Sequence, residues 1–469
     1  MPMVHSVRLG FATNSSSSHS LLLLEPGSRL KDRDVEKLCF GGDQFTAASA
    51  ESRSAYVALH IKYALMELVG EELAILIVKS LTGIDVSDGY IDHQSVYSLP
   101  LARDGRNLDM AFLREFQAFM SRDGLAILGG KDDGSVVAPH PHLRMGKVLK
   151  LGLPRDRECV PFVARKDSRG YWAMFSPADG TKVRFSWDGR DVTADKADAP
   201  ELVDLKITSF CPHACPWCHQ ASGTGGVHAD ELNLNTILWS LSSLGVFEVA
   251  IGGGEPTCHP HFWSLLRGIR KDMHMVPNFS TRSLDWLYVP EKAAIVREMC
   301  GGFAVSATDH RDVDQAVRAC LETRMPLEKL GIQYVIGSGH FQAADVMRSC
   351  REHAIRCTLL GYKQAGRGRR WKPWGDDWIG PLKEMQGDGE GWPKIGIDTV
   401  LAEASEQRLK EMKVARASYE IEDGKFSMYV DAVANTMGPS SYGRIRVPLD
   451  SKRDHRDVAK AIQSSFSKW

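Results

Sequence analysis

The sequence predicts an α/β chain organised around a partial (β/α)6, TIM-like barrel, flanked by an N-terminal α+β domain and a C-terminal extension. Three observations carry that prediction. Between residues 201 and 365, short apolar runs alternate with helical patterns six times, and this alternation implies a parallel sheet with right-handed crossovers. Six units, the last lacking its helix, suit a partial barrel better than the eight of a closed one. A polar, Pro-terminated stretch, "DGRDVTADKADAP", ends a differently textured first part, as a linker does. At 469 residues the chain is also too long for one ordinary domain. The expected boundaries are 1–195, 196–380 and 381–469.

Within the first part, Tyr56, Leu59, Tyr63, Met66 and Val69 fall on one stripe and predict an amphipathic helix. "YWAMFSPADGTKVRFSW" reads as a hairpin turning at "ADG". From Glu201 the strands are "LVDLKITSF", "FEVAIGG", "VPNFST", "FAVSA", "GIQYVIG" and "RCTLLGY". Five helical patterns separate them, the first opened by Asp230 as N-cap and closed by Gly245. In such folds chemistry gathers at the C-terminal ends of the strands.

A net charge of −1 argues against wholesale nucleic-acid binding. No apolar run approaches the roughly 20 residues of a membrane span, so a cytoplasmic protein without a membrane partner is expected. Ten cysteines are too few and too unevenly placed for a disulfide scaffold. Cys39, Cys159, Cys300, Cys320 and Cys350 lack ligand spacing and read as small apolar residues. Three others, Cys211, Cys215 and Cys218, crowd into "CPHACPWCHQ" directly after the first strand. Zinc would need a fourth ligand, His213 or His219. A redox dithiol would use Cys215 and Cys218 and leave Cys211 unexplained. Three thiolates also suit a cubane iron–sulfur cluster that keeps one iron free of protein ligands.

"CPHACPWC" resembles the Cys-x-x-x-Cys-x-aromatic-Cys signature of the radical S-adenosylmethionine (radical SAM) superfamily. After the second strand, "GGGEPT" is similar to that family's Gly-Gly-Glu-Pro element. The resemblance covers about residues 201–365 and implies a 4Fe-4S cluster on Cys211, Cys215 and Cys218, with S-adenosylmethionine chelating its open iron. It further implies cofactor contacts from Trp217, Gly252, Gly253, Gly254, Glu255 and Pro256, Glu255 accepting from the methionine ammonium. Ser280 and Thr281 stand where the family holds the carboxylate or ribose, and Ser306 where it meets the ribose. His213 and His219 then read as loop residues. Arg282 occupies the place of an expected Asn-Gly and suits a carboxylate of cofactor or substrate.

The activity so implied is reductive cleavage of S-adenosylmethionine to a 5'-deoxyadenosyl radical that takes hydrogen from a substrate. A flavodoxin or ferredoxin is the implied electron donor. A ribosomally made peptide is the leading substrate, a nucleotide or nucleic acid the alternative, and a non-catalytic iron–sulfur sensor the alternative class. In "YKQAGRGRRWKPWGDDW", basic residues interleave with aromatics, and Lys363 and Arg367 are its substrate-side candidates. Cys258, next to the second motif, is a candidate hydrogen-atom donor. The tail "GKFSMYVDAVANTMGPSSYG" resembles the extension of peptide-modifying members, with Ser440 and Ser441 where auxiliary-cluster cysteines would stand. The N-terminal "TNSSSSHS" carries no assigned chemistry.

Overall fold

The computed structural model describes residues 3–8, 17–24, 31–32, 35, 38–40, 45–91, 109–123, 125–131, 145–150, 163–178, 180, 182–186, 196–338, 343–370, 377–387, 395–414 and 423–469. The chain forms two compact units, Met1–Lys166 with Gly170–Val192, and Asp167–Arg169 with Thr193–Trp469.

In the second unit, strands β1 (Leu202–Thr208), β2 (Glu248–Gly253), β3 (Val276–Thr281), β4 (Phe303–Ala307), β5 (Leu330–Val335) and β6 (Arg356–Leu360) follow the alternation read from the sequence. Helices α1 (Glu231–Ser243), α2 (Phe262–Lys271), α3 (Pro290–Met299), α4 (His310–Glu322) and α5 (Ala343–Glu352) connect them. Each strand pairs in parallel with the next. The side-chain period of two explains how β1 serves both the core and a cavity. Val203, Leu205 and Ile207 are buried, whereas Asp204 and Lys206 alternate with them and face the barrel interior. The helix starts are set by side chains that satisfy orphan backbone donors. Asp230 accepts from Asn233 N at 3.1 Å, and Asp309 accepts from Arg311 N at 2.8 Å. Gly245 takes the left-handed φ of 86° expected after α1. Phe262, Leu265, Leu266 and Ile269 form the buried stripe of α2.

Residues beyond 379 add helices α6 (Ile379–Gly387), α7 (Thr399–Ala404), α8 (Glu406–Glu411) and α9 (His455–Phe466), and strands β7 (Ile395–Ile397), β8 (Ser427–Asp431), β9 (Thr436–Gly438) and β10 (Val447–Pro448). Among the described residues the sheet has ten strands, in the order β7-β6-β5-β4-β3-β2-β1-β8-β9-β10. β7 lies parallel to β6, and β8 lies parallel to β1. The partial barrel is therefore widened at both edges, beyond the six strands that the sequence pattern reveals. An ion pair between Lys206 Nζ and Asp431 Oδ2, at 3.0 Å, links the facing sides of β1 and β8. α9 packs on α1, where Ser240 Oγ donates to the carbonyl of His455 at 2.8 Å.

The first unit is mixed α and β. Strands Met3–Arg8, Lys182–Ser186, Trp172–Phe175 and Val163–Lys166 form one antiparallel sheet. Its central pair is the expected hairpin, turning through Gly180 at φ 74°. A second sheet orders Phe45–Ala47, Leu125–Lys131, Ser17–Leu24 and Met145–Lys150. The helix expected around Tyr56 spans Ala50–Val69. It is not a one-sided amphipathic helix: Val57, Ala58 and Ile61 are buried alongside Tyr56 and Leu59, and Val69 is exposed. Arg53 is also buried, because its guanidinium donates to the carbonyls of Met120 at 2.7 Å, Leu125 at 2.8 Å, Arg122 at 2.6 Å and Ala48. Cys300, Cys320 and Cys350 are buried as expected, Cys39 is exposed, and Cys159 lies outside the described residues. So do residues 188–195 of the linker stretch, 13–16 of the Ser-rich stretch and 371–376 of the basic–aromatic segment.

Candidate active site

The loop after β1 is held open rather than packed shut. Cys211 N donates to Gly223 O at 3.0 Å, and Cys218 N to Cys215 O at 3.2 Å. Ala214 and Ala221 take left-handed φ values of 45° and 53°, a conformation that costs a residue with a Cβ about 1–2 kcal/mol. A second segment braces the loop from outside. Arg367 donates from Nε to Cys215 O at 2.9 Å, from Nη1 to Ser222 O at 2.7 Å, and from its backbone N to Cys218 O at 3.0 Å. Arg367, expected on the substrate side, is thus directed at the loop carbonyls and does not line the cavity.

The Gly-rich segment closes against the same loop from the other side. Gly254 N donates to Thr208 O at 2.7 Å and Glu255 N to Phe210 O at 2.8 Å. A Cβ on Gly254 would stand 2.0 Å from Phe210 O, and one on Gly253 2.3 Å from Thr208 O, whereas one on Gly252 would meet nothing within 4 Å. Gly253 and Gly254 are required for the close approach of two backbones, and Gly252 leaves room on the cavity side.

Glu255 is 1 % exposed. Its Oε1 accepts from the hydroxyls of Thr257 and Thr281, each at 2.7 Å, and its Oε2 from Arg282 N at 3.0 Å. His213 Nε2 stands 3.5 Å from Oε2 and 3.1 Å from Ser283 Oγ. Burial pushes this carboxyl up, but the donors of His213, Arg282, Thr281 and Thr257 together hold it below the ordinary glutamate range. The result is a buried carboxylate that joins the ends of β2 and β3 to the cysteine loop. Arg282, the residue after β3, completes the link: its Nη1 donates to Cys215 Sγ at 3.1 Å.

These groups surround a cavity of about 420 Å³ at the C-terminal ends of the strands. Cys211, Cys215, Cys218, Trp217, Gly252, Gly253, Gly254, Glu255, Ser280, Thr281, Arg282, Ser306 and Lys363 all line it. Pro256 and Cys258 do not. Pro256 is buried in the turn Pro256–Cys258, and Cys258, expected as a hydrogen-atom donor, is exposed at the end of that turn. The three loop thiols are free and partly exposed. Burial pushes Cys211 up, opposed by a hydrogen bond from the His213 backbone and assisted by the nearby Glu255 carboxylate and the other two thiols.

Opposite the loop the cavity is polar, and sequence reasoning missed most of that wall. Lys363 Nζ lies 3.7 Å from Asp398 Oδ2 and 5.3 Å from the Tyr442 ring. His219 bonds Ser441 Oγ at 3.2 Å, and burial, reinforced by the charges of Lys363 and Lys206, pushes it down to about 3, so it is neutral. Asp204, Asp398, Gln333 and Tyr429 add further polar groups. The signal for Asp204, Lys206, Gln333 and Tyr429 was available, since all sit at alternate positions of strands whose other face is apolar.

Asp204 is exposed to the cavity, with the barrel wall packed around it. Burial, only partly offset by Lys363, pushes its carboxyl from 3.8 up to about 6. A raised carboxyl contributes stability that is present below pH 3.8 and lost as pH rises through 6. The Asp204→Asn protein is therefore expected to melt with the wild type at pH 3.5 and above it at pH 8. Because cavity water screens the charge, the gain should be at most about 1 kcal/mol. Equal melting temperatures across this range, measured by calorimetry, would refute the assignment.

Residues 205–325 match the model of the Radical SAM superfamily. Over 121 residues the chain is 34% identical to the mycofactocin maturase MftC of Mycobacterium tuberculosis (strain CDC 1551 / Oshkosh), covering 25% of this chain and 27% of that protein. Over 74 residues it is 39% identical to MftC of Mycobacterium ulcerans (strain Agy99), covering 15% and 19%. The match thus spans about a quarter or less of these relatives' length. Streptococcus suis SuiB, solved bound to the precursor peptide SuiA, aligns with a TM-score of 0.44 at 15% identity, covering 58% of this chain and 68% of that one.

Proposed function

The chain belongs to the radical SAM superfamily through residues 205–325, and from that membership we propose that it is an enzyme that cleaves S-adenosylmethionine reductively and takes hydrogen from a peptide. One observation carries the reading: three free thiols on the loop and the Glu255 network face a single cavity. Cys211, Cys215 and Cys218 would hold a 4Fe-4S cluster. Among the described residues no three Cys, His, Asp or Glu side chains converge to hold one metal ion, and a cluster that takes each thiolate on a different iron does not need such convergence. Such a cluster would supply the single electron for reductive cleavage of S-adenosylmethionine, the chemistry that hydrogen abstraction from a substrate needs.

The chain's own residues bind and orient. Gly252 leaves room beside the loop, and Gly253 and Gly254 present backbone at the strand ends. Glu255 already receives the Thr281 and Arg282 donors, so it holds the site together as well as offering negative charge to an ammonium. Ser280 and Ser306 suit the polar groups of the nucleoside, Thr281 is committed to Glu255, and Trp217 and Val335 suit the nucleoside's apolar surface. Lys363 stands on the polar wall where a substrate would enter.

The peptide reading is supported by the matched relatives, which are maturases, and by the tail that folds into β8 and β9 beside the site. Arg367 directs its donors at loop carbonyls, which removes one cation from the nucleic-acid alternative.

Anaerobic reconstitution with iron and sulfide, followed by dithionite and S-adenosylmethionine, tests the activity. The wild type is expected to release 5'-deoxyadenosine, and a Cys215→Ala protein to lose cluster and product together. A wild type with a full cluster and no 5'-deoxyadenosine would refute the enzymatic reading in favour of a sensor. Incubation with short peptides encoded beside the gene, read as a mass change, tests the substrate class. A change on nucleotides but on none of those peptides would overturn it.

A further inference from the structure

We infer that Arg282 is a positioning residue that sets the reduction potential of the cluster on this loop. The inference rests on the proposed cluster and goes beyond it, because the side chain was expected to meet a carboxylate. The geometry points elsewhere: Arg282 Nη1 donates to Cys215 Sγ at 3.1 Å. The arginine is anchored for that task. Its backbone N–H is bound by Glu255 Oε2 at 3.0 Å, and the preceding Thr281 is held to Oε1 of the same carboxylate at 2.7 Å. Cys215 is in turn fixed from behind, where its carbonyl accepts from Arg367 at 2.9 Å. The backbones that carry donor and sulfur are thus each held by a separate, partly buried contact.

A guanidinium is permanently cationic, and hydrogen bonds to ligand sulfurs are among the levers that set cluster potentials. Reduction adds one negative charge to the cluster, and a cation within hydrogen-bonding distance of a ligand sulfur favours that state. The electron comes from a one-electron donor of the flavodoxin or ferredoxin class, and no atom is transferred to Arg282. Removing the charge should therefore make the cluster harder to reduce.

The test is a redox titration of the reconstituted full chain, followed by the EPR signal of the reduced cluster, in wild type and in Arg282→Gln, Arg282→Met and Arg282→Lys. The neutral variants are expected to need at least a tenfold higher ratio of reduced to oxidised donor for half-reduction. For a one-electron couple that is a shift of about 59 mV to more negative potential. Arg282→Lys, which keeps the charge, should recover at least half of the shift. Loading of all variants with a common potential overturns the inference. If the neutral variants take up no iron and Arg282→Lys does, the positive charge is required for assembly rather than for the potential, and the inference fails. If none of the three loads, the guanidinium is a structural brace and the inference fails. A wild type that takes up no iron would instead refute the cluster itself.

Discussion

Gly254→Ala is expected to abolish iron loading and to destabilise the second unit by about 3 kcal/mol or more. The new Cβ would lie 2.0 Å from Phe210 O, 2.7 Å from Phe210 C and 3.1 Å from Ser209 C. All three contacts are backbone atoms, so no side-chain rotation relieves them. The strand ends must separate, which breaks the bonds from Gly254 N to Thr208 O and from Glu255 N to Phe210 O. Gly252→Ala provides the contrast, because its Cβ would enter open space. That protein should fold and load iron normally, and bind S-adenosylmethionine more weakly. Iron per chain and the urea midpoint decide between them. Normal iron content in Gly254→Ala would show that the two strand ends are not coupled to the cysteine loop.

Glu255→Ala should cost about 3–5 kcal/mol, because it leaves Thr257, Thr281 and the N–H of Arg282 without their buried acceptor. Glu255→Gln is expected to be milder, about 1–2 kcal/mol. The amide oxygen can still take Arg282 N, and the two threonine hydroxyls can rotate to accept from the amide nitrogen. The pH dependence separates charge from shape. A carboxyl held below its ordinary value of 4.5 contributes stability above that pH, lost as pH falls through the folded value. The wild type should therefore lose stability below pH 4.5 more steeply than Glu255→Gln. Parallel acid-unfolding curves would show that Glu255 is not ionised in the folded chain.

The parallel core was legible in the sequence because each of its six strands carries a run long enough to show apolar character, and Asp, Pro and Gly mark its helix boundaries. The outer strands were not. β7 has three residues and β10 two, too few for any period to register. β8 has five, but nothing local says that it pairs beside β1. The helix around Tyr56 misled for a different reason. Its polar residues look like a solvent face, yet Arg53 finds carbonyls inside the fold, and Lys62 pairs with Glu71 at 3.0 Å. At the site, the cysteines and the Gly-rich turn were visible as motifs. The linkage between them was not, since the contact from Arg282 to Cys215 and the buried network of Glu255 exist only once β1, β2 and β3 lie side by side.

The pairing of β1 with β8 also has a bearing on biosynthesis. Leu202 to Lys206 meet Ser427 to Asp431, so during translation the edge of the barrel beside the cysteine loop stays unpaired long after the loop itself has left the ribosome. Ser441, the partner of His219, arrives later still. Until then β1 is an exposed edge, open to pairing with other chains. Chains released before this edge is complete should accordingly be the ones that aggregate.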